Sequence, residues 1–322
     1  MLLPWYWAIF HLFSSALATF VLLHFGRRYL RLDFPGERRS HRTATPRGGG
    51  IAIVMTILTG KAIAVFLWPN LAIYLVDSAV GLAMVAWVGW LDDRQSMPIR
   101  DRFIVHVLAS ALLANAVYCA SHTLLAAAII FLSALVLINV WNFMDGINGL
   151  AASQAAVVAF VYAHTLPFPF CLFPMAIAFS SIGFLPFNFP NARLFLGDSG
   201  SCALGYSMAA CLALVIVAEK HVVLISWLPL SVFLADAGFT LLRRLVGRER
   251  WWTPHAQHVY QRAARFCGSH TRVTLVYFLF SCVAGVLFLF ARHSPAADAM
   301  MIALLWSCVL AICWRVCYLS LK

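Results

Sequence analysis

Long apolar runs separated by short polar stretches set the pattern of this chain from one end to the other. At about 17 to 21 residues per crossing, the runs predict about eleven membrane-spanning helices, with ten as the alternative count. They fall at 5–25, 48–68, 71–91, 103–119, 123–141, 149–165, 168–187, 200–218, 221–242, 273–291 and 298–318. No polar stretch exceeds roughly 30 residues, too few for an independent soluble unit. The expectation is an all-α, polytopic membrane bundle forming a single domain over residues 1–322. No internal repeat is visible, which gives an inverted-repeat transporter no support.

Charge then orients the bundle. With the N-terminus outside, one side of the membrane receives the loops 26–47, 92–102, 142–148, 188–199 and 243–272 and the C-terminus. Of the 23 Lys and Arg, only Lys61, Lys220 and Arg292 belong elsewhere, with Arg315 at the inner end of the last run counted to the C-terminal side. The positive-inside rule makes that side cytoplasmic. The run Trp5–Phe25 lacks a basic residue before it and is followed by a strongly basic stretch, as expected of a retained first span and not of a cleaved leader. Lys61, Asp77, Glu219 and Lys220 lie toward the outer side and read as snorkelling or structural groups.

Composition narrows the classes further. The chain is 63% hydrophobic and 11% charged, where soluble domains run at about 25% charged. Its net charge of +11 comes without a basic, aromatic-interleaved soluble segment that could grip a duplex, so nucleic acid is excluded as a partner. The nine cysteines show no CxxC or Cys/His zinc spacing and read as small buried apolar residues.

Candidate chemistry crowds onto the predicted cytoplasmic side. Trp87-Val88-Gly89-Trp90-Leu91-Asp92-Asp93-Arg94 ends an apolar run on two adjacent carboxylates, in a chain with twelve acidic residues. Adjacent acids repel and are better tolerated beside a divalent cation or a cationic partner, and magnesium, a hard ion that bridges to phosphates, suits them. Thr45-Pro46-Arg47-Gly48-Gly49-Gly50 sets three glycines at a helix entrance, which costs helix stability unless backbone must approach something closely. Asn139-Val140-Trp141-Asn142-Phe143-Met144-Asp145-Gly146-Ile147-Asn148-Gly149 breaks an apolar helix with amides and a carboxylate, as a cavity lining does. Leu196-Gly197-Asp198-Ser199-Gly200-Ser201 opens the eighth span, where Asp198 is either a cap or part of an anion-facing helix end. Asp236 lies inside the ninth span, with an arginine partner or a catalytic role both open. If 255–262 is helical, His255, His258 and Arg262 share one face beside Arg243, Arg244, Arg248 and Arg250. HExxH is absent there, which excludes that zinc-protease signature.

Together, the motifs Asp33-x-Pro35…His41…Thr45-Pro46-Arg47-Gly-Gly-Gly, Asp92-Asp93-Arg94, Asn139-x-x-Asn142-x-x-Asp145-Gly146, Leu196-Gly-Asp-Ser-Gly-Ser and His255-x-x-His258 resemble those of the polyprenyl-phosphate N-acetylhexosamine-1-phosphate transferases. This is the WecA/MraY-like superfamily of glycosyltransferase family 4, and the likeness covers nearly the whole chain. The resemblance implies transfer of a sugar-1-phosphate from a UDP-activated N-acetylated sugar to undecaprenyl phosphate, with release of UMP. The setting would be the cytoplasmic face of a bacterial inner membrane, with a periplasmic N-terminus, and the product would start O-antigen or another envelope polysaccharide.

Carried over by motif position, Asp198 would be the main magnesium ligand, joined by Asp93, with manganese as the alternative ion. Asp92, Asp93 and Asp145 would be the catalytic carboxylates, and Asn142 would line the nucleotide pocket. Arg47, Arg94, Asn188, His255, His258 and Arg262 would contact substrate. Beyond the two substrates and membrane lipids, a homodimer stays open. Physically, a lipid phosphate must approach a diphosphate, so guanidinium groups and a divalent ion are needed to lower the repulsion.

Against the peptidoglycan branch, whose Asp-Gly-x-x-Gly stretch carries a second acid and whose last loop is richer in histidine, this chain has Asn148 and a sparser histidine pair. That favours a simple N-acetylhexosamine or its 6-deoxy relative over a muramoyl-peptide donor. A phosphate monoester, with a second pKa near about 6, is already mostly dianionic at neutral pH. Asp92 is therefore expected to position or deprotonate the acceptor in a single displacement. The rival from another class, a proton-coupled transporter, would spread carboxylates along a path through the bilayer. A phosphatidyl-alcohol transferase would need an Asp-Gly…Ala-Arg…Gly…Asp pattern, and that pattern is absent.

Overall fold

In the computed structural model, residues 3–26, 30–33, 44–219, 222–249 and 255–321 are described. The expected motif members Pro35 and His41, together with Lys220 and Arg250, lie outside these residues. The helix at the centre is α8 (Asp198–Ala218), 89% of whose apolar window is buried by its neighbours. Its sequence explains the position: Gly200, Ala203, Gly205, Ala209, Ala210 and Ala213 present small side chains to neighbours that come close all round. Small residues permit such approach where lipid supplies no hydrophobic drive between helices.

Around α8 pack α2 (Gly50–Leu67), α3 (Ala72–Arg94), α4 (Ile99–Ser121), α5 (Leu124–Phe143), α6 (Leu150–Thr165) and α7 (Leu172–Asn188). Next, α1 (Leu3–Phe25) lies on α7 and α2, α11 (His270–Ala291) lies on α6, and α12 (Ala296–Ser320) rests outermost, only 17% buried. A two-stranded ribbon, β1 (Arg31–Asp33) antiparallel to β2 (Thr45–Arg47), pairs Arg31 with Arg47 and leads into α2.

The all-α membrane architecture is as expected. Among the described residues, eight helices are long and apolar enough to cross a bilayer, while α6 and α7 are apolar but shorter. One predicted span differs. In place of a helix over 221–242, a 3-10 turn at Leu228–Leu230 precedes α9 (Ser231–Val246). Pro229 lacks the N–H that a continuous helix would need. The sixteen residues of α9 measure about 24 Å, short of the hydrocarbon thickness, and its amphipathic face ends on Arg243 and Arg244.

The expected helical face of His255, His258 and Arg262 also needs correction. The helix α10 (Val259–Cys267) begins only after His258, so His255 precedes it and the three side chains do not share a helical stripe. The reason is Asp236. Its carboxylate accepts the Val259 N–H at 2.9 Å, the Tyr260 N–H at 3.0 Å and the Tyr277 hydroxyl at 2.6 Å, so a buried acid on α9 fixes where α10 starts. Its partners are thus a helix end, a phenol and the Thr240 hydroxyl at 3.3 Å, with His258 Nδ1 3.8 Å away, and not the arginine that the sequence left open. Likewise, Lys61 does not snorkel. It is buried, donates to Ser78 Oγ at 2.6 Å and lies over the rings of Tyr74 and Phe173. All nine cysteines are free.

Replacing Asp236 by Ala orphans two backbone donors and a buried phenol. We expect at least about 2 kcal/mol of lost stability, read as a lower thermal unfolding midpoint in detergent and faster hydrogen exchange over 259–267. Unchanged exchange there would contradict the anchoring role.

Candidate active site

The acid pair at the end of α3 divides its labour because neighbouring residues on a helix point about 100° apart. Asp93 turns inward and is buried. Its carboxylate accepts the Asp198 N–H at 2.9 Å, the Ser199 N–H at 3.1 Å and the Ser199 hydroxyl at 3.0 Å, and Arg47 Nε lies 2.8 Å away. The negative side chain thereby caps the positive end of α8. Asp92 turns the other way, accepting the Met97 N–H at 2.7 Å and an Arg102 Nη1–H at 2.5 Å.

Asp198 closes the cluster from the first residue of α8. Its carboxylate is bridged by Arg47 Nη2 on one side, approached by Arg102 Nη1 at 3.6 Å on the other, and lies within hydrogen-bonding reach of both Asp92 and the Asn142 amide. Asn142 also donates to Ser201 Oγ at 3.2 Å. Asp145, two residues beyond α5, is close enough to interact electrostatically with Arg47, Asp198 and Asp93. Burial pushes Asp145 well above the usual carboxylate range; Arg47 opposes that rise and the two other acids add to it. For Arg47, burial disfavours the charge, but Asp198, Asp93, Asp145 and Asp92 hold its guanidinium above the ordinary value.

The glycine run serves this assembly. Gly49 N–H and Gly50 N–H donate to the Phe195 and Leu196 carbonyls at 2.8 and 2.9 Å, and Phe195 N–H donates to Pro46 O at 2.8 Å. A Cβ on Gly50 would stand 2.1 Å from Gly200 Cα, and one on Gly89 would stand 2.5 Å from the Asp198 carbonyl oxygen. What approaches so closely is the chain itself, at the start of α8.

Of the expected site residues, Asp92, Asp93, Asp145, Asp198, Asn142 and Arg47 are thus brought together at one end of the bundle. Others are not. Arg94 is exposed, its guanidinium 4.6 Å from the Trp90 ring centroid. Asn188 is buried with both ends of its amide used, accepting from Gly149 N–H at 2.8 Å and donating to Leu194 O at 2.9 Å. Arg262 lies over the Tyr318 ring and donates to Leu321 O at 2.9 Å.

His258 is buried, its ring stacked near Phe143, with Nδ1 3.8 Å from Asp236, and the His255 ring is 4.9 Å from it. The pair therefore adjoins the Asn142–Asp145 turn through Phe143, and Tyr260 fastens α10 to that turn by donating to Phe143 O at 2.9 Å. Arg102 was missed as a site residue, although its place ten positions after Asp92, in the first turn of the next helix, brings it back beside the acids. The Arg243 and Arg244 side chains pair with Glu249.

The donor set suits a hard divalent cation in kind, being carboxylates and an amide from three separate segments. As arranged, guanidinium groups hold those oxygens, and among the described residues no three His, Cys, Asp or Glu side chains stand at metal-binding spacing.

Comparison with known proteins agrees with the geometry. The glycosyl transferase family 4 model matches residues 75–217, which include both helices that carry the acid cluster. A probable undecaprenyl-phosphate N-acetylglucosaminyl 1-phosphate transferase of Bacillus subtilis is 26% identical over 79% of this chain and 75% of its own length. The undecaprenyl-phosphate alpha-N-acetylglucosaminyl 1-phosphate transferase of Thermotoga maritima is 28% identical, with 77% and 79% covered. A phospho-N-acetylmuramoyl-pentapeptide-transferase of Chlamydia abortus is 26% identical, with 62% and 67% covered.

Substituting Gly50 by Ala forces the ribbon away from α8 and should cost about 1 to 3 kcal/mol. We expect a lower unfolding midpoint and faster exchange at 197–201. Gly238→Ala, where a Cβ meets nothing within 4 Å, is the control expected to leave both unchanged; equal effects of the two would refute the close-approach account.

Proposed function

This chain belongs to the polyprenyl-phosphate N-acetylhexosamine-1-phosphate transferase superfamily, and from that premise we propose that it transfers an N-acetylhexosamine-1-phosphate from a UDP-sugar to undecaprenyl phosphate. The observation that carries the proposal is the convergence of Asp92, Asp198, Asp145, Asn142, Arg47 and Arg102, from five segments, at one end of an apolar helical bundle. Such a site can receive a diphosphate from water and a phosphate from lipid together.

In the reaction, an oxygen of the acceptor phosphate forms a bond to the sugar-bearing phosphorus of the donor, and the bond from that phosphorus to UMP breaks. Arg47 and Arg102 are the cationic groups placed to lower repulsion between the two anions. A magnesium ion, or manganese in its place, would be held by Asp198 with Asp92 and would neutralise diphosphate charge as the UMP leaves. Asp92 orients the acceptor and takes any proton that remains on it. Asp145 and Asn142 face the nucleotide side, with His255 and His258 behind Phe143. Asp93, its oxygens taken by the end of α8 and by Arg47, fixes Asp198 and does not itself contact substrate.

Donor choice within this reading rests on Asn148. Its amide donates to Pro190 O at 2.9 Å and its N–H meets His270, so that position stitches two loops together and adds no acid to the site. A simple UDP-N-acetylhexosamine, initiating O-antigen or a related envelope polysaccharide, is the donor this favours. The inner membrane, with the site facing the cytoplasm, follows from the side to which the basic loops are assigned. A transporter is not supported, because the acids gather at one end of the bundle and do not mark a path across it.

Purified protein given undecaprenyl phosphate, magnesium and UDP-N-acetylglucosamine should release UMP. Asp92→Asn should reduce turnover by roughly a hundredfold or more while nucleotide-sugar binding survives. A radiolabelled phosphosugar trapped on the protein would overturn the single displacement, and absence of UMP with every UDP-N-acetylhexosamine would overturn the function.

A further inference from the structure

Arg102 lies between two of the acids, one from α3 and one from α8. Its Nη1 lies 2.5 Å from Asp92 Oδ2 and 3.6 Å from Asp198 Oδ2, so one guanidinium nitrogen serves two carboxylates that come from different helices and stand within hydrogen-bonding reach of each other. Its Nε, by contrast, is buried and lacks a hydrogen-bond partner. A guanidinium has five donors in a rigid fork that matches phosphate as well as carboxylate. This one is therefore only partly used.

Arg47 behaves differently. Its Nε and Nη2 grip Asp93 and Asp198 together, and its backbone is built into β2 beside Phe195. One arginine is fixed by the ribbon; the other, in the first turn of α4, is partly exposed and has a buried Nε without a hydrogen-bond partner.

We propose that Arg102 is an internal place-holder for the divalent cation, neutralising the Asp92–Asp198 pair until the cation arrives and then turning its fork onto the phosphates of the donor. The inference rests on the transferase reading for the identity of the phosphates, and on the geometry alone for the competition. The Asp92 oxygen that accepts from Arg102 Nη1 has that lone pair engaged, and the guanidinium charge 3.6 Å from Asp198 repels an incoming cation, so the two occupants compete for the same pair of acids. Once displaced, the guanidinium loses its contact with Asp92 and has an unpartnered Nε to satisfy. A phosphate oxygen meets both needs.

This arrangement makes an unusual pair of predictions with opposite signs. A guanidinium that only stabilises the fold, or that only binds substrate, would not improve metal binding when removed. Arg102→Met keeps the apolar stem and removes the charge. In the full-length protein in detergent, with no nucleotide present, manganese(II) chloride titrated by electron paramagnetic resonance should bind Arg102→Met at least about fivefold more tightly than wild type. That figure follows from removing one competing unit charge at contact distance even under water-like screening.

In the same preparation, with manganese present, UMP should bind Arg102→Met roughly tenfold more weakly, since a charge-assisted contact to phosphate is lost. Arg102→Lys retains the charge without the fork, so it should leave the manganese affinity near wild type and still weaken UMP. Manganese binding that is unchanged or weaker in Arg102→Met, with elution and unfolding midpoint as in wild type, overturns the proposal. If Arg102→Met does not fold, Arg102→Gln is titrated in its place and the same two outcomes decide. The manganese arm is independent of turnover, so failure of the transferase assay in wild type would refute the proposed function without touching the competition.

Discussion

One buried carboxylate holds the candidate site together. Asp93 accepts both leading N–H groups of α8 and the Ser199 hydroxyl while lying against Arg47, so it ties the end of α3, the start of α8 and the ribbon into one unit. A charge at that depth is tolerable because every direction open to it holds a donor. The consequences are geometric. With Asp93 committed inward, the helix turns Asp92 toward α4 and the acid cluster, and the first residue of α8 is set so that the Asp198 carboxylate meets it there. Adjacent acids that look redundant in the chain therefore do different things.

The same device occurs a second time. Asp236 caps α10 as Asp93 caps α8, again with an acid from another helix reaching two leading N–H groups. A helix end buried among other segments has no water to satisfy it, and an internal carboxylate is a strong acceptor for its N–H groups. Through Tyr260 and His258 the second cap steadies the Phe143–Gly146 turn, and through Ser199 and Ser201 the first reaches Asn142. Both flanks of that turn are thus held by acids that do not face the open site. Many polar groups of this chain thus go to fixing the mouth, while Asp92 and Asp198 are held by arginine side chains and Asp145 lies beside them.

Much of this was legible in the chain. Apolar runs gave the helices because a lipid-facing helix is apolar along its whole length, and the runs placed Asp92, Asp145 and Asp198 at helix ends where a common site could form. The break before α9 was harder to see, because Pro229 lies among apolar residues whose hydropathy does not change across it. Asn188 and Arg262 looked like ligands because polar residues near motifs do, and only tertiary contacts show that Leu194 O, Gly149 N and Leu321 O consume them. The glycines at 48–50 were rightly read as permitting close approach, but a sequence does not say that the approaching atom is Gly200 Cα. Arg102 stood out only as one member of the charged stretch Arg100-Asp101-Arg102 and was not picked as a site residue for a similar reason: its significance arises when α4 folds back along α3.

The depth of the site follows from an opposition between solvents. In the proposed reaction a nucleotide sugar would come from water and a polyprenyl phosphate from lipid, so a catalyst joining them would need charged groups near the edge of the hydrocarbon. Acids there would repel one another and any incoming phosphate, while arginines alone would bind phosphates without releasing them. Interleaving the two, with Arg47 fixed between Asp93 and Asp198 and Arg102 shared between Asp92 and Asp198, gives a cluster whose charges are balanced internally before either substrate is present. An anion that enters such a cluster competes for guanidinium groups already in contact with carboxylates, so it is held less strongly than by bare arginines. In the proposed reaction, a moderate grip on the diphosphate is what would permit the leaving nucleotide to depart, and the carboxylates beside the arginines set that grip.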